Sequence, residues 1–429
     1  VAIVRASGPG VRGALEALCG EVPQARVATV ARLKDPASGE IIDQALAIFF
    51  EKPSSYTGED VAEFHVHGGS VTVDGLTEAL SGLGLWPAEP GEFTRRAFEN
   101  GKLDLAQAEA VADLVDAQSV AQRRQALGQL GGALSERHLV WREAILDALA
   151  LLEAHVDFPD EELPADLAAR AAPKLAALEQ ELSRGLQEAH KGERVRNGYK
   201  IGFVGAPNAG KSSLLNALAG RDAAIVTAIP GTTRDVIEVP TVIGGHRVIL
   251  GDTAGVRITE DEIEAEGVRR ARAWARDADL RVWVVDGSAS DGAWREAFGL
   301  IELGDSCVVN KVDLPQGDDG RATTEAWPGV IRLSLTTGEG LDALKAELAA
   351  RVTSDLSGAD FPAVTRERHR LHLEEAIVHL QRSQASLLSG SELAAEDLRL
   401  AARALERITG RIDPEAVLDK VFGQFCIGK

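Results

Sequence analysis

Near the start of the chain the apolar positions fall in short strand-like runs, "VAIVRA", "ARVATVARL", "QALAIFF" and "VAEFHVH", with helical spacing over 70–83 and 105–117. From about 118 to 197 the apolar residues recur every three or four positions, as in "LGGALSERHLVWREAILDALALLEAHVDF", which predicts helix. "FPDEELP" breaks that pattern with two prolines, and a second helix is predicted through about 174–190. At Tyr199 the texture changes. "YKIGFVG", "HRVILGD", "LRVWVVDG" and "SCVVNKVD" are strand-like runs alternating with helical stretches, the pattern of a parallel α/β sheet. From about 364 onward the chain is helical again, with a break at "TGRIDP". Helical regions on both sides predict that the α/β unit is inserted into a helical domain.

Composition narrows the class. The length of 429 residues allows roughly two to four domains with cores of their own. Apolar residues at 45% and charged residues at 26% exclude a disordered chain. No apolar run reaches bilayer length and no signal-like segment opens the chain, so the expectation is no membrane partner. Cys19, Cys307 and Cys426 make no disulfide framework, which points to a reducing, cytoplasmic setting. With 46 basic against 66 acidic residues the formal charge is −20, so bulk electrostatics do not hold this chain to nucleic acid, and RNA binding needs a local site. Only 4% aromatic content argues against a base-stacking platform. The chain contains no methionine, and the expectation is a trimmed or incomplete start.

The chemistry begins at "GAPNAGKSS" (205–213), which follows a predicted strand and opens the helix "LLNALAG". It satisfies G-x-x-x-x-G-K-[ST] in the context that motif requires. Gly205 and Gly210 let the backbone of Asn208, Ala209 and Gly210 wrap phosphates with its N–H groups, and the helix N-terminus adds a favourable dipole towards Ser213. Lys211 neutralises the β- and γ-phosphates, and the Ser212 hydroxyl is placed to ligate Mg²⁺. "DTAG" sets Asp252 near that metal and the Gly255 N–H near the γ-phosphate. "NKVD" (310–313) supplies Asn310, Lys311 and Asp313. The Asp313 carboxylate only accepts hydrogen bonds, so it can take the N1–H and N2 amine of guanine together. Adenine would leave it unpaired. "SLTTGEG", beginning at Ser334, is the remaining base loop, and the set predicts GTP over ATP. "GTTRD" offers Thr233 as a second magnesium hydroxyl. Val256 follows "DTAG" and cannot orient water, so a carboxylate further along "VRITEDEIEAEG" is expected to do so.

With those residues in view, the chain resembles the MnmE (TrmE) family of tRNA-modification GTPases. The resemblance runs through "SYTGEDVAEFHVHGG" (55–69), "PGEFTRRAFENGKLDLAQAEAVADL" (90–114), "VDFPDEE" (156–162), the nucleotide motifs and the terminal "FCIGK". It implies a multidomain α/β and α+β fold. The expected domains are an N-terminal α+β folate-binding and dimerising domain (1–117), a helical domain in two parts (118–197 and 354–429), and an inserted P-loop, Ras-like G domain (198–353). It implies GTP hydrolysis coupled to the addition of an aminomethyl or carboxymethylaminomethyl group at carbon 5 of the tRNA wobble uridine. The implied partners are a second copy of the chain, tRNA and the FAD-dependent protein MnmG, in a heterotetramer or larger. By motif match, 5-formyltetrahydrofolate or another tetrahydrofolate one-carbon carrier would be held by Arg5, Glu63, Lys102 and Lys429. K⁺ would be held by Asn208, Thr227, Ile229 and Thr232, and the catalytic carboxylate maps onto Glu264. The base loop departs from the family, with Leu335 and Thr336 where Ala and Lys or Arg are common.

Cys426 sits fourth from the end, the position of a prenylated thiol, but Gly428 is not aliphatic and no polybasic run precedes it. The resemblance places it near the modification chemistry, as a nucleophile or as a buried structural thiol. Glu63, His65 and His67 share one face of a strand, as a metal set would, but lack a further ligand cluster in the sequence. Cys307 reads as core. Arg399, Arg403, Arg407 and Arg411 recur every four residues, a stripe that meets tRNA phosphate or forms a salt-bridged face. Two other functions compete with RNA modification: a ribosome-assembly GTPase switch and a folate-binding regulatory scaffold. No "GxxG" RNA-binding pattern follows the predicted G domain, which disfavours the first.

Overall fold

The structure is a computed structural model that describes residues 1–157, 167–220, 237–252, 274, 276–289, 302, 304–315, 329–358, 364–387, 390–412, 418, 421–422 and 425. The chain divides into two compact units. The first comprises Val1–Asp116, Ala126–Ser183 and Arg368–Lys429, and the second Ala117–Gln125 and Arg184–Glu367.

The first unit opens with four antiparallel strands, β1 (Ala2–Ser7), β2 (Thr29–Lys34), β3 (Ile41–Phe50) and β4 (Val61–Val66), in the order β1-β4-β3-β2. Burial alternates along β2, with Ala31 and Leu33 inward, because successive side chains of a strand point to opposite faces. One sheet face packs on helices α1 (Val11–Cys19) and α2 (Ser70–Gly82) through Leu15, Leu18, Ala47, Phe64 and Leu76. Helix α1 is absent from the sequence expectations, although Val11, Ala14, Leu15 and Leu18 carry its spacing. Gly20, at φ +86°, closes it by donating to the Glu16 carbonyl at 2.9 Å.

Register decides what the other sheet face displays. Arg5 lies directly opposite Glu63, and Phe50 opposite Val61. Val61 and Glu63 are two residues apart, so all four side chains emerge on one face.

Two short helices follow, α3 (Glu92–Glu99) and α4 (Leu105–Asp116). Helix α4 starts with a reciprocal cap: Gln107 N–H donates to Asp104 Oδ1 at 2.8 Å, and Asp104 N–H to Gln107 Oε1 at 3.0 Å. Next come α5 (Val120–Leu130), α6 (Ala133–Asp157) and α7 (Leu167–Asn197). Helix α7 begins earlier than the expected 174 and contains Pro173 in an early turn. "FPDEELP" lies outside the described residues.

The second unit carries the predicted α/β sheet: β5 (Tyr199–Val204), β6 (Ile237–Ile243), β7 (His246–Asp252), β8 (Leu280–Asp286), β9 (Ser306–Asn310) and β10 (Ile331–Arg332). Their order is β10-β9-β8-β5-β7-β6, parallel except for β6 against β7. Gly244 and Gly245, both at positive φ, form the two-residue loop that joins β6 to β7. Helices α8 (Lys211–Ala219) and α9 (Leu341–Asp355) cover the sheet through Leu214, Leu215, Leu344, Leu348 and Val352. From β5 the chain turns to one side of the sheet and later to the other, so the crevice at the carboxyl ends of β5 and β8 is a topological switch point.

The first unit resumes with α10 (Glu367–Ser386) and α11 (Ser391–Thr409), the latter packed along α6. Fully buried His369 meets fully buried Glu109 at 2.8 Å, which ties α10 to α4. The arginine stripe is shorter than its spacing predicts. Gly410, at φ +74°, ends α11, so Arg411 falls beyond the helix. Arg399 pairs with Glu153 at 2.8 Å and Glu396 at 3.0 Å, and Arg407 with Glu375 at 3.3 Å, so this face carries ion pairs.

Candidate functional site

All the described nucleotide-motif residues lie at the carboxyl edge of the second unit's sheet. Gly205 leaves β5 at φ +148°, and a Cβ there would overlap the Val284 carbonyl. Gly210, at φ +104°, caps α8, and a Cβ would overlap the Asn310 amide. Both positions need glycine for space and for backbone conformation. Asn208 also has positive φ, +63°, a conformation asparagine tolerates. Lys211 is 5% exposed and its Nζ donates to the Gly205 and Ala206 carbonyls, each at 2.9 Å. Burial lowers the pKa of its ammonium and the Asp252 carboxylate opposes that shift, so an anionic ligand here would meet a desolvated cation.

Ser212 Oγ donates to Asp252 Oδ2. The other oxygen of that buried carboxylate, Oδ1, has no hydrogen-bond partner among the described residues. A hydroxyl beside an orphaned carboxylate oxygen suits a hard divalent cation, so the pair fits Mg²⁺. Ser213 follows in the first turn of α8.

The base loops are joined to this cradle. Asn310 Nδ2 donates to the Ala209 carbonyl at 2.9 Å, and the Leu335 N–H donates to Asn310 Oδ1 at 3.4 Å. Ser334 is fully buried, and its Oγ accepts from the Thr337 N–H at 3.2 Å. Lys311 Nζ reaches Asp286 Oδ2 at 2.6 Å. Burial pushes the Asp286 carboxyl up, but hydrogen bonds from Lys311 and Ser288 outweigh it and hold the group below its ordinary range. The sequence reading missed Asp286, although it closes the strand "LRVWVVD" where ligand loops start. Asp313 is exposed on the same loop as Asn310. Thr227, Ile229, Thr232, Thr233, Gly255 and Glu264 lie outside the described residues.

In the first unit, Arg5, Phe50, Tyr56, Val61, Glu63, Val111 and Val115 line an open cleft of about 290 Å³. Arg5 Nε donates to Glu63 Oε1 at 2.9 Å, and its guanidinium stands 5.6 Å from the centre of the Phe93 ring. The Tyr56 hydroxyl meets Thr94 Oγ1 at 2.8 Å. Two of the four expected folate residues, Arg5 and Glu63, therefore share one cleft. Lys102 is not in its lining; the Lys102 Nζ donates to the Pro53 carbonyl at 3.1 Å. Cys426 and Lys429 lie outside the described residues, but Phe425 is buried in a cluster with Phe422, Leu105, Ala108 and the cleft residue Val111. The sequence alone does not single out Tyr56, Phe50 or the three valines, since apolar and aromatic residues are common to any core.

Glu63 and His65 of β4 and His67 just beyond it do not gather as a metal set. Glu63 is held by Arg5, with His65 Nε2 at 3.4 Å, while His67 Nδ1 meets Asp43 at 2.9 Å. Among the described residues no group of three or more His, Cys, Asp or Glu side chains is placed to hold a metal ion.

Residues 1–102 match the family described as GTP-binding protein TrmE N-terminus, and residues 105–426 match the MnmE helical domain. The chain is 58% identical to the tRNA modification GTPase MnmE of Caulobacter vibrioides over 433 residues, covering 100% of this chain and 96% of that one. It is 59% identical to the tRNA modification GTPase MnmE of Phenylobacterium zucineum, with the same coverage. Among solved structures it aligns with the G domain of the T. maritima FeoB iron transporter at 27% identity and a TM-score of 0.29, covering 36% of this chain and 98% of that one.

Proposed function

We propose a role for this chain from one premise: it belongs to the MnmE family of tRNA modification GTPases. In our reading it hydrolyses GTP to drive, with a flavoprotein partner of the MnmG type, the addition of an aminomethyl or carboxymethylaminomethyl group at carbon 5 of the wobble uridine. The observation that carries the nucleotide half is the set at one sheet edge, where the buried Lys211 and Asp252 converge with the Ser212 hydroxyl. Ser212 and Asp252, with Thr233, would hold Mg²⁺, which offsets the charge of the phosphates when bound. Asn208, with Thr227, Ile229 and Thr232, is our proposed K⁺ set, and Glu264 our proposed base for orienting water. Asp313 would read the guanine edge through its two acceptor oxygens.

For the one-carbon half, the Arg5–Glu63 cleft combines a charged pair with apolar walls, a fit for a flat heterocycle with a polar edge. We assign it to a tetrahydrofolate carrier, with Lys102 and Lys429 contributing from the surroundings. Burial of Phe425 beside Val111 supports a tail directed to this cleft, and we place Cys426 in the chemistry there. The working form we propose is a cytoplasmic homodimer joined to MnmG.

The decisive experiment is mass analysis of wobble uridines, paired with ribosome profiles, from cells lacking the protein. Loss of the modification with normal ribosomes is the expected result. Intact modification with stalled subunit assembly would overturn the reading in favour of a ribosome-assembly switch.

A further inference from the structure

In the second unit one residue row runs across three strands: Gly202 on β5 pairs with Gly251 on β7, which pairs with Glu238 on β6. The two glycines are not turn residues. They sit inside strands, where a missing side chain weakens the sheet unless something approaches closely. What approaches is Trp274. A Cβ at Gly251 would overlap the indole, and one at Gly202 would stand 3.2 Å from indole Cζ3. The indole Nε1–H then donates to Glu238 Oε1 at 2.7 Å, at the far end of the same row. The ring lies against two strands and is anchored to the third.

The position of this row gives the contact its meaning. Gly251 immediately precedes Asp252, whose carboxylate meets Ser212. Glu238 is the second residue of β6, the strand that follows "GTTRD". Trp274 itself follows the stretch that begins with "DTAG". We infer that Trp274 is a positioning residue: its indole, seated on the Gly202–Gly251 platform, fixes the end of β7 so that Asp252 faces Ser212 in the geometry a divalent cation requires. The inference deepens the magnesium reading of that pair. An Ala at Gly251 has to displace the ring, whereas in a chain lacking the ring the three atoms nearest to that Cβ are gone.

Release of a fluorescent GDP analogue from the full chain, measured in Mg²⁺ and in EDTA, tests this. In the wild type Mg²⁺ is expected to slow release. Trp274→Ala should shrink the Mg²⁺ effect by about tenfold, the scale for groups that orient a metal ligand, and leave release in EDTA unchanged. Gly251→Ala should reproduce that loss alone and add nothing on top of Trp274→Ala, a non-additivity that marks direct contact. Trp274→Phe keeps the ring on the platform and should restore most of the Mg²⁺ effect, which a fold-wide defect would not allow. If Trp274→Ala does not fold, Trp274→Phe and Glu238→Ala, each with a partial loss, carry the test. A wild type that responds to Mg²⁺ with variants that respond equally sinks the inference alone. A wild type indifferent to Mg²⁺ sinks the magnesium reading and the inference with it.

Discussion

The nucleotide cradle of the second unit is contiguous from Gly205 to Ser213, whereas the cleft of the first unit draws on Arg5, on Phe50 to Glu63, and on Val111 and Val115. The first kind of site is built mostly of backbone. Its N–H groups, positive-φ glycines and helix N-terminus follow from local residue types. The second is built of side chains that only strand register brings together, Arg5 opposite Glu63 and Phe50 opposite Val61. The difference teaches where each is fragile. A cradle of backbone fails when a Cβ appears, and a cleft of side chains fails when a functional group is removed.

The largest effect should come from adding one methyl group to the cradle. Gly210→Ala combines a left-handed φ with overlap on Asn310, and is expected to weaken GTP binding about 10³-fold, or ~4 kcal/mol. Calorimetric titration with GTP and with a folate checks it, and folate binding should be retained; loss of both would erase the distinction between the two sites. Next in size, Glu264→Ala should leave GTP affinity within a few-fold and cut turnover by about 10²-fold, the scale of a positioned acid–base group. A normal rate would move the search to Glu262 or Glu266. Then comes the cation. GTPase rates should be roughly tenfold higher in KCl than in NaCl at equal ionic strength, since a cation beside the phosphates offsets developing charge. Asn208→Ala should erase that preference, while equal rates in both salts together with a dead Arg234→Ala would point to an arginine instead.

Smaller effects probe the cleft. Glu63→Gln keeps the shape but removes the charge that faces Arg5, and should weaken folate binding about tenfold, the range of a charge-assisted hydrogen bond. Its GTPase rate should be that of the wild type. The smallest expected signal is thiol reactivity. Burial pushes the Cys19 thiol up to about 11 and the Cys307 thiol up to about 12. A raised thiol pKa suppresses thiolate below it, so both should be inert at pH 8. Labelling of the native protein at that pH should therefore report Cys426 alone. One reactive thiol per chain supports an accessible nucleophile, and none supports a buried structural thiol.

The legibility of these features follows the range of the interactions that form them. Strands β5, β7, β8 and β9 were readable because buried parallel strands are apolar along their length. Helix α1 is not legible in the sequence, since nine residues between glycines offer barely two turns of periodicity. Four-residue spacing predicts one arginine too many for the stripe, because it continues past the glycine that ends the helix. Gly202 and Gly251 did carry a signal, a glycine inside a strand, but not the identity of what fills the space.

By itself the sequence determined the phosphate-loop and base-loop motifs, and the place in the chain where the α/β unit begins, since these depend on local backbone geometry and on strings of adjacent residues. Only the tertiary structure decided that Arg5 faces Glu63, that Lys311 answers to Asp286, and that Trp274 lies across two glycines from different strands. Those contacts depend on register and sheet order, which side chains distant along the chain settle jointly through packing, and no single stretch encodes them.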